Sequence, residues 1–290
     1  MQQDNKKLGI AYMCIASLSF AFMSLFIKLS GDLPTVQKVF FRNLLASIVF
    51  IILMIKDKTS LKLTKEEKKT LFFRALSGTI GVLCYFYSID NMNISDAAAL
   101  NKLTPFFAIF ASLPILSEGI RKKDVIATAI AFIGSIFVVK PSFSLRLLPA
   151  LSALTGGLAA GIAYSFVRKA GKQGVDAKII IVAFSLFSCV VALPFIFFVY
   201  KPMSLVQLTY LILASLMAMS GQFFNTKAYS VAKAGVIAVY DYLQVVYLAI
   251  LGFFIFGELA DIYSFIGYVI IIGVAVFRLK GGKYEDRHRK

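Results

Sequence analysis

Residues 21–31 read AFMSLFIKLSG and residues 161–171 read GIAYSFVRKAG, and these two stretches decide the fold. When the chain is shifted by 140 residues they coincide without a gap, and Lys28 then lies over Arg168. The same shift superposes further small and acidic residues, namely Gly81 with Gly221, Ala98 with Ala238 and Glu118 with Glu258. Self-similarity at a fixed spacing is the mark of an internal duplication. The chain is therefore predicted to consist of two copies of one unit.

Long apolar blocks fill both copies. Of 290 residues, 59% are hydrophobic and 16% are charged, and the mean hydropathy is +0.81. Soluble chains hold about 25% charged residues, so a soluble globular protein is excluded. About twenty apolar residues span the hydrocarbon core of a bilayer as a helix. We predict an all-α membrane protein with ten transmembrane helices, at about 8–28, 36–55, 71–90, 95–117, 124–140, 148–168, 178–199, 205–227, 233–256 and 262–279.

The two copies are predicted to be inverted. Each has five crossings, so the second copy enters the membrane from the opposite side, and the two are related by an axis in the membrane plane. We place the first five-helix repeat at 1–142 and the second at 143–290, ending in a basic tail. The loop after Glu118 is basic and the loop after Glu258 is acidic, which agrees with opposite sides.

The distribution of Lys and Arg predicts the orientation. If the N-terminus is cytoplasmic, the outer ends of the helices hold only Lys28, Lys38, Lys140, Arg146 and Lys201. Cytoplasmic loops carry the excess of Lys and Arg in membrane proteins, so both termini are predicted to lie in the cytoplasm of a bacterium. This topology and anionic lipid head groups account for the net charge of +16, and no nucleic-acid partner is expected.

Two charged residues fall near the middle of predicted helices. Lys102 lies beside Asn101 in the fourth block, and Asp241 lies in the ninth, where the shift places it over Asn101. A charge at the bilayer centre costs about 2.5–3.5 kcal/mol on insertion scales, so each needs a partner or a water-filled cavity. Either the two bind charged groups of a small solute, or Asp241 exchanges a proton. The alternative is a structural salt bridge.

Polar and aromatic residues also form stripes on apolar helices. In the ninth, eighth and third blocks they recur at i, i+3, i+4 and i+7, which places them on one face. Such faces indicate a cavity between helices. Arg42 either reaches that cavity or extends to the head groups. The predicted substrate-binding residues are Lys102, Asp241, Asn101, Tyr240, Gln244, Asn225, Gln222, Tyr85, Tyr164 and Arg42.

The sequence offers little for catalysis or metal binding. The single histidine, His288, lies in the charged tail, and the three cysteines fall inside apolar blocks. We therefore predict no catalytic residue, metal site or cofactor, although metal chemistry through carboxylates alone stays open. No GxxxxGK[ST] loop occurs, which disfavours an ATP-driven transporter.

Several motifs carry a family resemblance. Each copy has a run rich in small residues, an apolar helix ending in glutamate and a last helix with a glycine. The motifs are Ser95-Asp-Ala-Ala-Ala-Leu and Ala234-Gly-Val-Ile-Ala-Val, then Glu118 and Glu258, then Gly134 and Gly273, with Phe41-Arg42-Asn43-Leu44 in the second helix. Together they resemble the EamA-type transporters of the drug/metabolite transporter superfamily over nearly the whole chain.

The resemblance implies ten helices, with helices 1–4 and 6–9 around a central cavity and helices 5 and 10 at the periphery. It also implies export or uptake of small metabolites, such as amino acids, nucleobases or their analogues, driven by ion gradients or by exchange. Lys102 departs from a generic member, and we interpret it as a substrate-specific feature.

We therefore expect a secondary active transporter that moves a small polar or zwitterionic metabolite across the cytoplasmic membrane by alternating access. Its expected partners are the substrate and the lipid bilayer, and a homodimer is left open. The alternatives are a membrane-embedded enzyme, a channel-like permease and a duplicated scaffold without transport. An enzyme would need clustered carboxylates or histidines at head-group level, which the sequence lacks.

Overall fold

The computed structural model describes residues 5–91, 100–117, 119, 121–139, 147–256 and 262–287. Within these ranges the regular structure is helical and contains no strand. The all-α class is therefore confirmed for the part of the chain that is described. The helices are α1 Lys6–Leu29, α2 Thr35–Lys56, α3 Lys65–Asn91, α4 Thr104–Leu116, α5 Lys122–Val139, α6 Leu147–Lys172, α7 Ala177–Val199, α8 Leu205–Val231, α9 Ala234–Asp241, α10 Leu243–Phe256 and α11 Ile262–Arg287.

Some sequence predictions fall outside the described ranges. These are the two glutamates Glu118 and Glu258, most of the run that begins at Ser95, the boundary between 142 and 143, and His288.

Local signals in the sequence set several helix ends. Ser204 accepts from the backbone N–H of Gln207 and the Gln207 side chain accepts from the N–H of Ser204, which is a capping box at the start of α8. Asp176 caps α7 by accepting from the N–H of Lys178. Gly31 follows α1 with a φ of +69°, a left-handed conformation in which glycine is unstrained.

Among the residues that the structure describes, five helices are long and apolar enough to cross a membrane. These candidate spans are Lys6–Ile27, Thr35–Lys56, Leu147–Lys172, Ala177–Val199 and Leu205–Val231. Large apolar side chains cover much of the outside of the bundle, and Phe198 at 87% exposure is the extreme case. A surface of this kind is stable when its solvent is lipid hydrocarbon.

The helices pair across the two halves of the chain. α1 packs along α8, α3 packs along α6, α2 contacts α7, and α5 contacts α11. α4 lies against α6, and α9 and α10 lie against α1. Each pair joins one helix from the first half to one from the second, so the interior of the bundle is a contact surface between halves.

Glycines permit the two longest helix contacts. A Cβ at Gly81 would lie 3.1 Å from the backbone nitrogen of Ala160, so α3 and α6 touch backbone to backbone. At the corresponding contact of α8 with α1, a Cβ at Gly221 would lie 2.6 Å from the ring of Phe20. Small residues that allow close approach are how helices associate in membranes, where burial from water provides no driving force.

Candidate functional site

The ninth predicted span is interrupted at Tyr242. α9 ends at Asp241 and α10 begins at Leu243, with Tyr242 between them in the right-handed helical region (φ −68°, ψ −16°), so the helix predicted over 233–256 contains one irregular residue at this point. The interruption releases two backbone carbonyls, and side chains of the first half bind them. The Ser17 hydroxyl donates to the carbonyl of Tyr240 at 3.1 Å, and the Lys102 ammonium lies 3.5 Å from the carbonyl of Asp241. Irregular backbone in a membrane protein persists where neighbouring groups satisfy it in this way.

A second interruption lies 140 residues earlier. Residues 100 and 101 are helical, Lys102 and Leu103 form a turn, and α4 begins at Thr104. The Thr104 hydroxyl donates to the carbonyl of Asn101 at 2.7 Å. Pro105, in the first turn of α4, has no N–H to satisfy. The two irregular turns therefore lie at positions that the 140-residue shift superposes.

Side chains at each of the two turns form hydrogen bonds with the other turn. The Tyr242 hydroxyl donates to the carbonyl of Lys102 at 2.7 Å. In return the Lys102 ammonium bonds the Asp241 carboxylate at 3.2 Å and the Gln244 side-chain oxygen at 2.8 Å. The Lys102 and Asp241 side chains are only 14% and 21% exposed. Lys102 and Asp241, which the sequence marks as two charges near the middle of helices without indicating that they pair, are thus in contact, and each comes from a different half.

Aromatic and amide groups of α6 and α8 adjoin this ion pair. The rings of Tyr164 and Tyr229 stack with centroids 4.8 Å apart, and the Asn225 side chain hydrogen-bonds Tyr164. The helix that carries Asp241, α9, contacts both α6 and α8. We name this group the polar centre, and its members are Lys102, Asp241, Gln244, Tyr164, Asn225 and Tyr229.

Tyr240 does not join the polar centre. The sequence placed it on one face with Asp241 and Gln244, but its buried hydroxyl donates to the carbonyl of Ala275 in α11 at 3.1 Å. Adjacent residues of a helix project about 100° apart, so the Tyr240 hydroxyl can reach α11 while the next residue, Asp241, reaches Lys102. Tyr242, which the sequence analysis did not select, makes the contact with the first half instead.

Other predicted residues lie on the helices around this region. Tyr85 is on α3, where its backbone packs against Gly156 of α6. Gln222 is on α8, and its side-chain oxygen is buried without a hydrogen-bond partner. Asn101 ends the helical turn before Lys102 and offers its backbone carbonyl to Thr104.

Two buried arginines extend the site. Arg42 is 6% exposed, so it lies inside the bundle and does not extend to the head groups. Arg74, in the first half of α3, is 2% exposed, with its guanidinium 4.4 Å from the centroid of the Phe184 ring. One signal could have identified it, since Gly78 lies four residues later and a Cβ there would collide with that guanidinium.

The described part of the chain shows no group of three or more His, Cys, Asp or Glu side chains arranged to hold a metal ion. Several buried polar atoms lack a protein partner, and a polar ligand or hydration would satisfy them. In the bundle interior they are Asn43 Nδ2, Arg74 Nε, Gln222 Oε1 and Thr226 Oγ1.

Comparison with known proteins gives a consistent result. The model of the EamA-like transporter family matches residues 7–140 and again residues 147–279. The pseudopaline exporter CntI of Pseudomonas aeruginosa is 28% identical over 287 residues, covering 97% of this chain and all of that protein. The S-adenosylmethionine uptake transporter of Rickettsia prowazekii is 26% identical, covering 93% of this chain and 91% of its own.

A human relative and a solved structure agree. Human solute carrier family 35 member G1 is 26% identical, covering 87% of this chain and 73% of its own. One crystal structure superposes with a TM-score of 0.81 at 12% identity and covers 92% of this chain and 95% of its own. At that identity the likeness concerns the fold alone.

Proposed function

Because the chain belongs to the EamA-like transporter family and is a multi-pass membrane protein, we propose that it is a secondary active transporter. Its substrate is a small polar or zwitterionic metabolite, such as an amino acid, a nucleobase or an analogue. It moves this substrate across the bacterial cytoplasmic membrane by alternating access. Its relatives carry the names of transporters rather than enzymes, and we assign it no catalytic reaction.

The proposed architecture is ten spans in two inverted repeats. The family model matches once in each half. The helix contacts repeat when the two halves are exchanged, because the pair of α1 and α8 then corresponds to the pair of α6 and α3. The fourth span includes α4, and α9 with α10 forms the ninth. Five crossings in each copy require opposite orientation, and the excess of Lys and Arg places both termini in the cytoplasm.

One observation carries the proposal, namely the ion pair between Lys102 and Asp241 at two interrupted helices. Interrupted helices supply polar backbone groups in the middle of a membrane, where transporters bind solutes. Because the partners come from different halves, any rocking of one half against the other changes the contact between them. A solute that binds either charge therefore acts on the equilibrium between inward-open and outward-open forms.

Energy coupling follows from the same pair. Asp241 is the carboxylate through which a proton could be exchanged during the cycle, and substrate exchange is the second route. Among the relatives one is named an exporter and another an uptake transporter, so the fold serves both directions. Under this proposal, the gradients of the substrate and of the coupling ion set the direction of transport.

The test is transport by purified protein in proteoliposomes. A thermal-shift screen of a metabolite library selects a ligand, because a compound that binds only the folded form raises its melting temperature. We expect saturable uptake of the radiolabelled ligand that accelerates when the same unlabelled compound fills the vesicle. Uptake that rises linearly with concentration and ignores internal substrate would contradict a carrier and indicate a channel.

A pH gradient separates the coupling modes. If Asp241 carries the proton, the Asp241→Asn variant loses any dependence of residual transport on the pH gradient. An unchanged dependence in that variant assigns coupling to another group.

A further inference from the structure

A cavity away from the polar centre lies where three helices end together. Its volume is about 220 Å³, and it lies near the start of α3 and near the ends of α4 and α6. Pockets that enclose a whole drug-sized ligand measure about 300–1,000 Å³, so this one encloses only part of a molecule. Among the residues that line it are Lys69 and Phe73 of α3, Pro114 and Ile115 of α4, and Phe166 and Lys169 of α6.

A lysine and a phenylalanine follow the same order on α3 and on α6. Lys69 is four residues nearer the start of α3 than Phe73, and Lys169 is three residues nearer the end of α6 than Phe166. Residues three or four apart share one face of a helix, so each lysine lies about one turn closer to the membrane surface than the ring. The two rings stack, with centroids 5.5 Å apart. The cavity therefore has a cationic outer part and an apolar inner part.

The apolar part lies on the outside of the bundle. Phe73 and Pro114 are both exposed, and so are their neighbours Phe72 and Leu113. Exposed apolar side chains on helices of this kind face the hydrocarbon of the bilayer. Acyl chains therefore reach the inner part of the cavity directly from the membrane.

The two lysines bring positive charge that the protein does not neutralise. The ion pairs of the described residues involve neither Lys69 nor Lys169. Two like charges that line one small cavity repel each other, and an anion between them turns this repulsion into attraction. Basic pockets between helices on the cytoplasmic side are typical sites for anionic lipid head groups.

We propose that this cavity binds an anionic phospholipid of the leaflet at the basic ends of the helices, which the sequence predicts to be cytoplasmic. The phosphate lies between the ammonium groups of Lys69 and Lys169, and an acyl chain lies over the paired rings of Phe73 and Phe166. A zwitterionic lipid carries a cation beside its phosphate, and a soluble phosphate ester has no chain, so neither matches both parts of the cavity. Because α3 belongs to the first half and α6 to the second, the bound lipid contacts both halves.

A tryptophan reporter tests the site, because the chain has no tryptophan of its own. Phe166→Trp places the reporter in the cavity, and Phe72→Trp places it on the exposed side of α3, at a position that does not line the cavity. Each variant is reconstituted in phosphatidylcholine nanodiscs with increasing amounts of brominated phosphatidylglycerol or of brominated phosphatidylcholine. Bromine quenches a tryptophan that it contacts, so the two series give the relative affinity for the two head groups.

The reporter in the cavity should show the stronger preference. A lysine near an anionic lipid contributes about fivefold in affinity, so Phe166→Trp should favour phosphatidylglycerol by about 25-fold. Phe72→Trp samples the surrounding lipid and should favour it by about threefold or less. If Phe166→Trp does not fold, Ile115→Trp supplies the reporter from α4. Equal preferences in the cavity and at Phe72→Trp overturn the proposal.

Lysine variants assign the preference to the cavity. With the Phe166→Trp reporter, Lys69→Gln and Lys169→Gln should each lower the preference about fivefold, and the double variant should remove it. Lys68→Gln is the matched control, because it removes the same charge from an adjacent, exposed position that does not line the cavity. It should lower the preference by about twofold or less. Equal losses in Lys68→Gln and Lys69→Gln mean a diffuse attraction to the basic surface and overturn the site.

A soluble phosphate ester separates a lipid site from a site for a free anion. Nanodiscs leave both faces of the protein open to the solution. Glycerol phosphate at about 10 mM, compared with sodium chloride of equal ionic strength, should leave the quenching by brominated phosphatidylglycerol unchanged, because it has no chain to lie over the rings. Displacement of the lipid by glycerol phosphate but not by chloride identifies a site for soluble phosphate and overturns the proposal.

Discussion

The helix breaks at Lys102 and Tyr242 occupy the same position in the two halves, yet their side chains differ. The backbone does the same thing at both, since a helix stops, turns and starts again. At one break a lysine reaches across to Asp241, and at the other a tyrosine reaches back to the carbonyl of Lys102. The backbone breaks correspond between the copies, and the side chains that close them do not.

This difference explains why the ion pair is asymmetric. The position of Asp241 is occupied in the first half by Asn101, which is neutral. A symmetric duplication would have placed two like charges face to face, which the low dielectric of the interior would penalise. The two halves instead carry opposite charges at Lys102 and Asp241, so the contact between them is attractive.

Neutralising one charge of the Lys102–Asp241 pair is expected to have the largest effect. Asp241→Asn leaves the Lys102 ammonium buried beside neutral groups and should abolish transport. Removing one partner of a buried pair destabilises by about 3–5 kcal/mol, and less is expected here because 21% of the Asp241 side chain is exposed. Counterflow in proteoliposomes measures the first effect, and the melting temperature in detergent measures the second. Lys102→Ala should behave likewise.

The double variant Lys102→Gln with Asp241→Asn separates a working pair from a structural one. It should recover most of the lost stability, because neither charge is left alone, while transport stays absent. Transport restored together with stability would show that the pair only fixes the register of the helices.

A second change acts on the contact that supports the break at Lys102. A Cβ at Gly161 would lie 2.7 Å from the backbone nitrogen of Ala108 in α4, whereas a Cβ at Gly157 meets nothing nearer than 3.4 Å. Gly161→Ala must therefore push α4 from α6, and we expect a loss of about 1–3 kcal/mol, as for other overpacked cores. Thermal unfolding in detergent measures it.

Gly157→Ala is the control on the same helix, and its gain in helix propensity should offset any strain. Equal melting temperatures for the two variants would contradict the close approach of α4 to α6. In the first half of the chain, Ala21 occupies the position that the 140-residue shift superposes on Gly161, and it is fully buried. That copy already tolerates a methyl group, so the tight contact belongs to one half.

The sequence predicted the helical class, and it singled out two charged residues, Lys102 and Asp241, which the structure brings into contact. The inverted duplication stays a prediction. Apolar blocks of membrane-spanning length, a gapless 140-residue shift and two charges at equal depth are each visible without coordinates. Lys102 and Asp241 also had to find partners, because an isolated charge in hydrocarbon is unstable.

The helix breaks and the buried Arg74 were not predicted, because both depend on tertiary contacts. Nothing at Tyr242 resembles a helix breaker, and the Lys102 and Ser17 side chains of the other half bind the carbonyls beside the irregular turn. Tyr240 lies outside the polar centre because its hydroxyl bonds the carbonyl of Ala275 in α11, a contact that depends on the packing of that helix. Arg74 falls near a basic helix end, where arginines usually reach water, and its burial against Phe184 needs the position of α7.

The reciprocal bond from the second half gives a smaller effect. Tyr242→Phe removes the O–H that binds the carbonyl of Lys102 and leaves that acceptor unsatisfied, which costs about 1 kcal/mol. Tyr240→Phe removes a similar buried bond to the carbonyl of Ala275 and should cost about as much. Only Tyr242→Phe should also slow counterflow, by roughly fivefold, since 1 kcal/mol corresponds to that factor. Equal rates in the two variants would place the break at Lys102 outside the transport cycle.

At the surface the two halves are joined by ion pairs, and these are expected to contribute the smallest amounts to stability. The Lys178 ammonium lies 2.6 Å from the carboxylate of Asp57, and that hydrogen bond holds the pKa of Asp57 below its usual value. Since the pKa is lower in the folded state, the pair stabilises the protein above the ordinary pKa of about 3.9 and loses this contribution as pH falls through the lower folded value.

Between pH 7 and pH 3 the melting temperature of Asp57→Asn should therefore fall by slightly less than that of the wild type, by about 1 °C or less. Asp32→Asn is the control, because its carboxylate lies 3.5 Å from Lys201 and is fully exposed, and this variant should follow the wild type. A larger change in melting temperature for Asp57→Asn than for Asp241→Asn would contradict the expectation that interior contacts between the halves contribute more stability than surface contacts.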